Sequence, residues 1–191
     1  PGSEGGNAVA DVLFGKVNPS GKLTVTFPLD VGQIPIYYNQ LPTGRPGDPN
    51  NKYTSKYLDI PNTPLYPFGY GLSYTTFAFS NLRVSPASVS VNGTVTVRAD
   101  LTNTGQTAGS DVAQLYIRNR DARVLQPIRQ LEGFERVSLS AGQTRTVTFT
   151  LNRSNLGYYD NSGQFVVQPG AFDVFVGDSS VGGLQGQFTV H

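Results

Sequence analysis

The chain has 191 residues and a mass of 20.5 kDa, a size that suits one large domain or one medium domain with an additional segment. Its 22 Gly and 13 Pro are too many for a helical protein, and its 10 Tyr and 11 Phe are too many for a disordered one. The 14 Lys and Arg nearly balance the 13 Asp and Glu, giving a net charge of +1. This balance excludes a broad basic surface for nucleic acid or anionic membrane.

Residues that commonly carry chemistry are scarce. Cysteine does not occur, and the single histidine is the final residue, His191. Disulfides, thiolate zinc sites and a cysteine nucleophile are therefore excluded, and a Ser-His-Asp triad would have to form at a chain terminus. The sequence has no acidic calcium-binding loop, so neither a metal nor a cofactor is expected. No apolar run exceeds three residues, so no membrane helix or signal-peptide core is predicted.

The first 28 residues have the pattern of half an α/β unit, and their start without Met suggests a portion of a longer protein. A helix is predicted to turn one apolar face inward, formed by Ala8, Val9, Val12 and Leu13. Gly15 is its expected C-terminal cap, and residues 18–21 have type I turn composition. Residues 22–27 alternate with period two and predict a strand. A helix and a strand alone cannot bury their apolar faces, so a partner is expected.

Residues 29–78 show no sustained period, which is unusual for so long a stretch inside a compact domain. We interpret them as an irregular linker that wraps another surface, because disordered linkers contain few aromatic residues. The aromatic residues concerned are Tyr37, Tyr38, Tyr53, Tyr57, Tyr66, Tyr70, Tyr74 and Phe77.

Residues 79–191 are predicted to form an all-β domain. Apolar residues alternate with polar ones at Val95, Val97, Ala99 and Leu101, at Ala113, Leu115 and Ile117, at Val147, Phe149 and Leu151, and at Phe172, Val174 and Val176. Gly and Asn turn signals separate these runs. About seven short strands in about 110 residues indicate an immunoglobulin-like sandwich. Without a Cys…Trp…Cys pattern, the fibronectin type III-like form is preferred.

Glycoside hydrolysis needs a pair of carboxylates facing each other, but the chain has only three Glu: Glu4, Glu132 and Glu135. Glu132 and Glu135 lie three residues apart in a predicted strand and point to opposite faces, which indicates surface positions. Glu4 precedes the predicted helix, where it either caps the free N–H groups or contacts a substrate. A solvated strand face is expected for the clustered arginines Arg118, Arg120, Arg123, Arg129 and Arg136.

Several ordered motifs resemble family-3 glycoside hydrolases. Residues 1–28 (PGSEGGNAVADVLFG, then NPSGKL and TFP) resemble the end of the second domain of the catalytic region, apart from Thr24, where the family usually has Pro. Residues 66–75 (YPFGYGLSYT) resemble the connection to the family's fibronectin-like domain, and residues 133–144, which begin GFERV, resemble its middle. TGRP and NKYTS within residues 43–55 are especially similar to bacterial periplasmic β-glucosidases.

The resemblance implies a (β/α)8-type barrel, an α/β sandwich and a fibronectin-like domain in the whole enzyme. It implies a retaining mechanism with a barrel Asp as nucleophile and a Glu as acid/base, both outside this chain. No catalytic residue is therefore expected here. Glu4 and Arg45 lie in matching motifs and are the residues expected next to substrate. A periplasmic or secreted location is implied, with the barrel and α/β domain, or a second copy, as partner.

The chain is predicted to have three domains, at residues 1–28, 29–78 and 79–191. Three alternative functions are considered for the whole chain. The first is the structural C-terminal part of a β-glucosidase-like enzyme, inactive alone. The second is a free-standing carbohydrate-binding or scaffold module that uses exposed tyrosines. The third, an unrelated adhesion-type sandwich, conflicts with the motifs of residues 1–28. Exposed coplanar tyrosines would favour the second function, and tyrosines packed beneath the linker would favour the first.

Overall fold

The computed structural model describes residues 2–48 and 50–191. The helical elements are α1 (Gly5–Leu13), a 3-10 turn (Val31–Gln33) and α2 (Arg153–Leu156). The strands are β1 (Phe77–Ser85), β2 (Ser88–Val89), β3 (Val95–Asn103), β4 (Gly109–Asn119), β5 (Gln130–Leu139), β6 (Thr144–Leu151), β7 (Tyr158–Tyr159), β8 (Phe165–Val166), β9 (Gly170–Gly177) and β10 (Leu184–Val190). Within the described residues, no helix is long and apolar enough to cross a membrane.

Two sheets enclose one hydrophobic core. One sheet has the order β1-β3-β6, and the other has the order β2-β10-β9-β4-β5, with a separate β7-β8 hairpin. The core consists of the inward faces of both sheets, with Val97 and Leu115 among its fully buried members. Every residue predicted to face inward in the four alternating runs is buried. The predicted mainly β sandwich is confirmed.

Strand β4 departs from simple alternation because both of its faces are covered. Ala113 and Leu115 point into the core, yet Gln114 and Tyr116 on the opposite face are buried as well. Tyr116 contacts the ring of Tyr38, which belongs to the chain before the sandwich. The segment of residues 2–76, called here the N-terminal segment, therefore packs on the outer face of this sheet.

The predicted helix is present, but its apolar face is not buried. Gly15 has a φ of +73° and its N–H donates to Val12 O at 3.0 Å, so it ends the helix as predicted. Leu13 and Phe14 are 71% and 88% exposed. The helix is joined to the linker at its C-terminal turn, where the Tyr74 hydroxyl donates to Val12 O at 2.6 Å.

The strand predicted over residues 22–27 is wrong. The segment runs beside residues 65–70 and makes only interrupted pairing, with one bridge between Phe27 and Tyr66. Leu23 N donates to Tyr70 O at 2.8 Å, and Gly69 N donates to Leu23 O at 2.8 Å. Continuous pairing fails because Pro67 lies between these contacts and has no N–H to donate.

The turn predicted over residues 18–21 is also wrong, since the structure assigns no turn there. Asn18 instead uses its side chain to join distant parts of the chain. Its Oδ1 accepts from Tyr74 N at 2.8 Å and from Ser73 Oγ at 2.9 Å, and its Nδ2 donates to Ala108 O at 3.0 Å. A local sequence pattern cannot reveal such long-range bonds.

A buried glutamine organises the irregular chain after residue 28. Gln33 is 1% exposed, its Oε1 accepts from Leu29 N at 2.6 Å, and its Nε2 donates to Pro61 O and Thr63 O at 2.9 and 3.1 Å. These bonds join the two ends of a loop without regular secondary structure. The domain boundaries at residues 28/29 and 78/79 stay predictions.

Candidate functional site

The contact between the N-terminal segment and the sandwich centres on Tyr38. Its ring stacks on Phe68 at 4.3 Å and meets Tyr116 edge-on at 5.7 Å between centroids. Its hydroxyl accepts a hydrogen bond from Leu131 N at 3.4 Å. Burial raises the pKa of Tyr116 far above its ordinary value, so this tyrosine stays neutral.

Gln114 joins the same contact through hydrogen bonds. Its Nε2 donates to Gly69 O at 3.2 Å and to Asp178 O at 2.6 Å, and its Oε1 accepts from the Tyr116 hydroxyl. Gly69 has a φ of +82°, and an added Cβ would lie 2.1 Å from Gln114 Oε1. Glycine is therefore required where the linker crosses β4.

Arg118, Arg120, Arg123 and Arg136 are exposed, as predicted for a solvated face, and Arg129 is the exception. Arg129 stacks on Phe175, with its guanidinium carbon 4.0 Å from the ring centroid, and donates to Ser180 O at 2.7 Å. Burial lowers the pKa of Arg129. Arg120 pairs with Asp173 across neighbouring strands. Arg120 and Arg129 therefore bind partners that lie far away in the sequence, whereas the Arg118 side chain makes no hydrogen bond or ion pair with other described residues.

The two residues predicted next to substrate, Glu4 and Arg45, belong to different loops of the N-terminal segment. Glu4 precedes α1 but makes no side-chain bond to the helix backbone; its Oε2 accepts from Asn7 Nδ2 at 2.6 Å, so the predicted capping is wrong. Glu4 has ψ near 4° rather than the extended conformation that directs a capping side chain at the free N–H groups. Arg45 is exposed, and its backbone carbonyl accepts from Ser55 N at 3.0 Å. No described contact links the two side chains.

The other two glutamates do not form a catalytic pair either. Glu132 occupies a bulge in β5, is half-buried, and accepts from Asn155 Nδ2 at 2.9 Å. Burial raises the pKa of Glu132. Its prediction as a plain surface residue is wrong because the bulge turns it toward α2. Glu135 instead pairs with Arg145 at 3.4 Å. Among the described residues, no group of His, Cys, Asp or Glu could hold a metal.

Apolar side chains of the N-terminal segment remain uncovered. The exposed ones between residues 9 and 41 are Val9, Leu13, Phe14, Val17, Val25, Phe27, Leu29, Val31, Ile34, Tyr37 and Leu41. Val25, Ile34 and Tyr37 line one groove of about 490 Å³, together with prolines and Phe68. So much exposed apolar surface in one segment marks an interaction site.

Among the described residues, five of the 10 tyrosines pack against another aromatic ring, whereas Tyr37 and Tyr53 are 64% and 70% exposed. Tyr38 lies beneath the linker, as described above, and Tyr66 stacks on Tyr70 at 5.1 Å with Phe27 against its edge. A Tyr66–Tyr70 stack covers one face of each ring, so the pair does not form the side-by-side platform of a flat sugar-binding surface. This packing favours the structural function over the free-standing module.

Two of the residues that tie the segments together could not have been found from the sequence. Asn18 and Gln33 look like ordinary loop residues, and only their burial and bonds reveal their role. The sequence also gives no sign of the bond made by Arg136, which donates to Ser20 Oγ at 2.9 Å although the two residues are 116 positions apart.

Comparisons with known proteins identify both parts of the chain. Residues 1–74 match the glycosyl hydrolase family 3 C-terminal domain, and residues 111–180 match the fibronectin type III-like domain. A periplasmic beta-glucosidase of Salmonella typhimurium is 48% identical over 189 residues, covering 98% of this chain and 25% of that protein. A beta-xylosidase of Formosa agariphila is 43% identical over 179 residues, covering 94% of this chain and 24% of that protein.

Solved structures agree. The beta-glucosidase from Listeria innocua in complex with glucose superposes with a TM-score of 0.94 at 42% identity, covering all of this chain (100%) and 27% of that one. The β-D-glucoside glucohydrolase from Trichoderma reesei has a TM-score of 0.75 at 36% identity, covering 100% of this chain and 29% of that one. The chain thus spans about a quarter of the length of these relatives. It belongs to glycosyl hydrolase family 3 and corresponds to the C-terminal portion of the family's longer members.

Proposed function

We propose that this chain is the non-catalytic C-terminal portion of a β-glucosidase that acts with retention, and that its N-terminal segment seats on the rest of the enzyme. This proposal rests on the exposed apolar surface of residues 9–41. The neighbouring sandwich already has a complete hydrophobic core of its own. The preceding barrel and α/β domain are the proposed occupants, and they supply the nucleophile Asp and the acid/base Glu.

Three further features belong to the same proposal. Glu4 and Arg45 are exposed and lie in the segment that faces the proposed partner, so we assign them to the substrate-adjacent surface of the whole enzyme. A periplasmic or secreted location is supported by the similarity to the Salmonella typhimurium protein. A second copy is the alternative occupant of the apolar surface, since two unpartnered faces can cover each other.

A chimeric enzyme tests this proposal. The chain replaces the matching quarter of the Listeria innocua beta-glucosidase, and hydrolysis of an aryl β-glucoside is measured. We expect an active chimera and no hydrolysis by the isolated chain. Leu13→Ser with Phe14→Ser should reduce the yield of active chimera and its melting temperature, because each apolar side chain that the partner covers contributes about 1.5–3 kcal/mol.

The control is Phe134→Ser, which removes an equally exposed aromatic side chain (71%) from strand β5 of the sandwich. It should leave activity and melting temperature nearly unchanged. Equal losses for both variants would contradict seating through the N-terminal segment. Turnover by the isolated chain that survives repurification and disappears on Glu4→Gln would contradict a non-catalytic role. Light scattering of the isolated chain distinguishes pairing of two copies from a free surface.

A further inference from the structure

A second cleft adjoins the apolar groove, with which it shares Pro35 and Ile36, and lies where the described loop residues 43–48 and 50–57 face the sandwich. Its volume is about 510 Å³, and one wall contains Arg118 of β4 and Ile128. Ile128 N donates to Gln40 O at 3.0 Å, which joins the linker wall to the sandwich wall. The cleft is therefore formed by both parts of the chain and does not depend on another protein.

Internal hydrogen bonds hold the loop wall in place. Asn62 Nδ2 donates to Ser55 O at 2.7 Å, and Asn62 Oδ1 accepts from Tyr57 N at 3.2 Å. Gly47 packs against this bridge so closely that an added Cβ would lie 2.6 Å from Asn62 Nδ2. These contacts fix the conformation of the loop without a ligand, as in ligand sites that are largely preformed.

Several polar groups of the lining remain available to a ligand. The side chains of Gln40, Ser55 and Arg118 and the hydroxyl of Tyr57 make no hydrogen bond or ion pair with other described residues. By contrast, the amides of Gln33 and Asn62 in the same lining are used in holding the loop. Tyr57 is 39% exposed. The cleft therefore offers one aromatic ring and several hydrogen-bonding groups.

The charged side chains that line the cleft are all positive. Lys56 and Arg118 line it, and no Asp or Glu does. Lys56 Nζ donates to Asp48 O at 3.3 Å, which holds this cation at the loop. A guanidinium binds carboxylates through two parallel hydrogen bonds, a geometry that an ammonium does not offer.

We propose that this cleft binds a saccharide that carries a uronic acid. The Tyr57 ring packs against the apolar face of the pyranose, as amphipathic aromatic rings do at polar interfaces. Gln40 and Ser55 bond the sugar hydroxyls, and Arg118 binds the carboxylate. Such a site would hold the whole enzyme on an acidic polysaccharide independently of its active site.

Titration of the ¹⁵N-labelled chain tests the proposal with glucuronate, glucose and acetate as probes, each at low and high salt. Glucuronate should bind at least tenfold tighter than glucose and acetate, move the amide signals of residues 40 and 55, and weaken at high salt. Arg118→Gln should remove the preference for glucuronate over glucose. Tyr57→Ala should weaken both sugars. Arg98→Gln, an exposed arginine on β3 of the other sheet, is the matched control and should bind like the parent chain.

Each other outcome overturns the proposal. Equal affinity for glucose and glucuronate would show a neutral sugar site, and equal affinity for acetate would show a site for anions only. Binding that survives Arg118→Gln unchanged, or shifts confined to residues outside the cleft, would place the carboxylate elsewhere. Since the readout is binding to this chain, failure here leaves the proposed function untouched.

Discussion

Lys22 and Asp111 form a buried ion pair that joins the N-terminal segment to the sandwich. The Lys22 Nζ atom lies 2.7 Å from Asp111 Oδ1, and the two side chains are 13% and 5% exposed. The other carboxylate oxygen of Asp111 is buried without a hydrogen-bond partner among the described residues. Because neither charge can remain buried alone, this pair fixes where residue 22 meets β4.

Removal of one member of this pair should destabilise the chain strongly. Lys22→Met leaves the Asp111 carboxylate buried and uncompensated, which costs about 3–5 kcal/mol in comparable pairs. The free energy of unfolding measured in guanidinium chloride checks this value. The double variant Lys22→Met, Asp111→Leu should recover much of the loss. A loss near that of Lys16→Met, whose ion pair with Asp11 is exposed, would show that the pair is not buried in solution.

Substitutions of two neighbouring residues of β6 should reduce stability unequally, because only one of the two faces the core of the sandwich. Phe149 points into the core opposite Val97, whereas Thr148 is exposed. Phe149→Ala should cost about 3–5 kcal/mol through the cavity it leaves. Thr148→Ala should cost about 0.5 kcal/mol or less. Calorimetry compares the two, and equal losses would mean that the strand register is shifted by one residue.

Substitution of Gln114 should destabilise the folded chain, because the groups that it bonds would lose their hydrogen-bond partner. Gln114→Leu keeps the volume but leaves Gly69 O, Asp178 O and the Tyr116 hydroxyl without their bonds. Each buried unsatisfied group costs about 1–3 kcal/mol. Adding Tyr116→Phe removes one of these groups and should restore part of the stability. We expect hydrogen exchange at residue 69 to accelerate in the single variant, and an unchanged rate there would contradict the bridge.

Two carboxylates should respond to pH in opposite directions. The pKa of Glu132 is raised above its ordinary 4.5 by burial, so the folded chain binds this proton more tightly and stability falls as pH rises above 4.5. Glu132→Gln keeps the bond from Asn155 and should raise the melting temperature at pH 7 but not at pH 4.

The pKa of Asp100 is lowered by hydrogen bonds from Thr146 and Asn81, so the stability that this carboxylate contributes is present above pH 3.8 and is lost at lower pH.

The contrasting variant is therefore Asp100→Asn, which should lower the melting temperature at pH 7 and lose its effect in acid. Thermal unfolding measures the signs, at pH 7 and pH 4 for Glu132→Gln and at pH 7 and a pH well below 3.8 for Asp100→Asn. A melting temperature lowered at pH 7 by Glu132→Gln would contradict the half-buried position of Glu132 in the β5 bulge.

The sandwich was predictable because its strands follow one rule. Val95 through Leu101 and Val147 through Leu151 alternate with period two, and the inward members are all buried. Helix α1 was predictable for a similar local reason, its apolar period and Gly15. Residues 22–27 have the same alternation but no continuous partner, so pattern alone gave a strand where the structure has a single bridge.

The amino-acid sequence by itself determined the sheet faces, the helix, the absence of cysteine chemistry and the resemblance to family 3. Only the tertiary structure decided that both faces of β4 are covered, that Asn18, Gln33 and Asp111 join distant segments, and that Arg129 stacks on Phe175. The reason is physical. Periodicity records which side of an element avoids water, whereas a long-range hydrogen bond or ion pair depends on two residues that leave no local pattern.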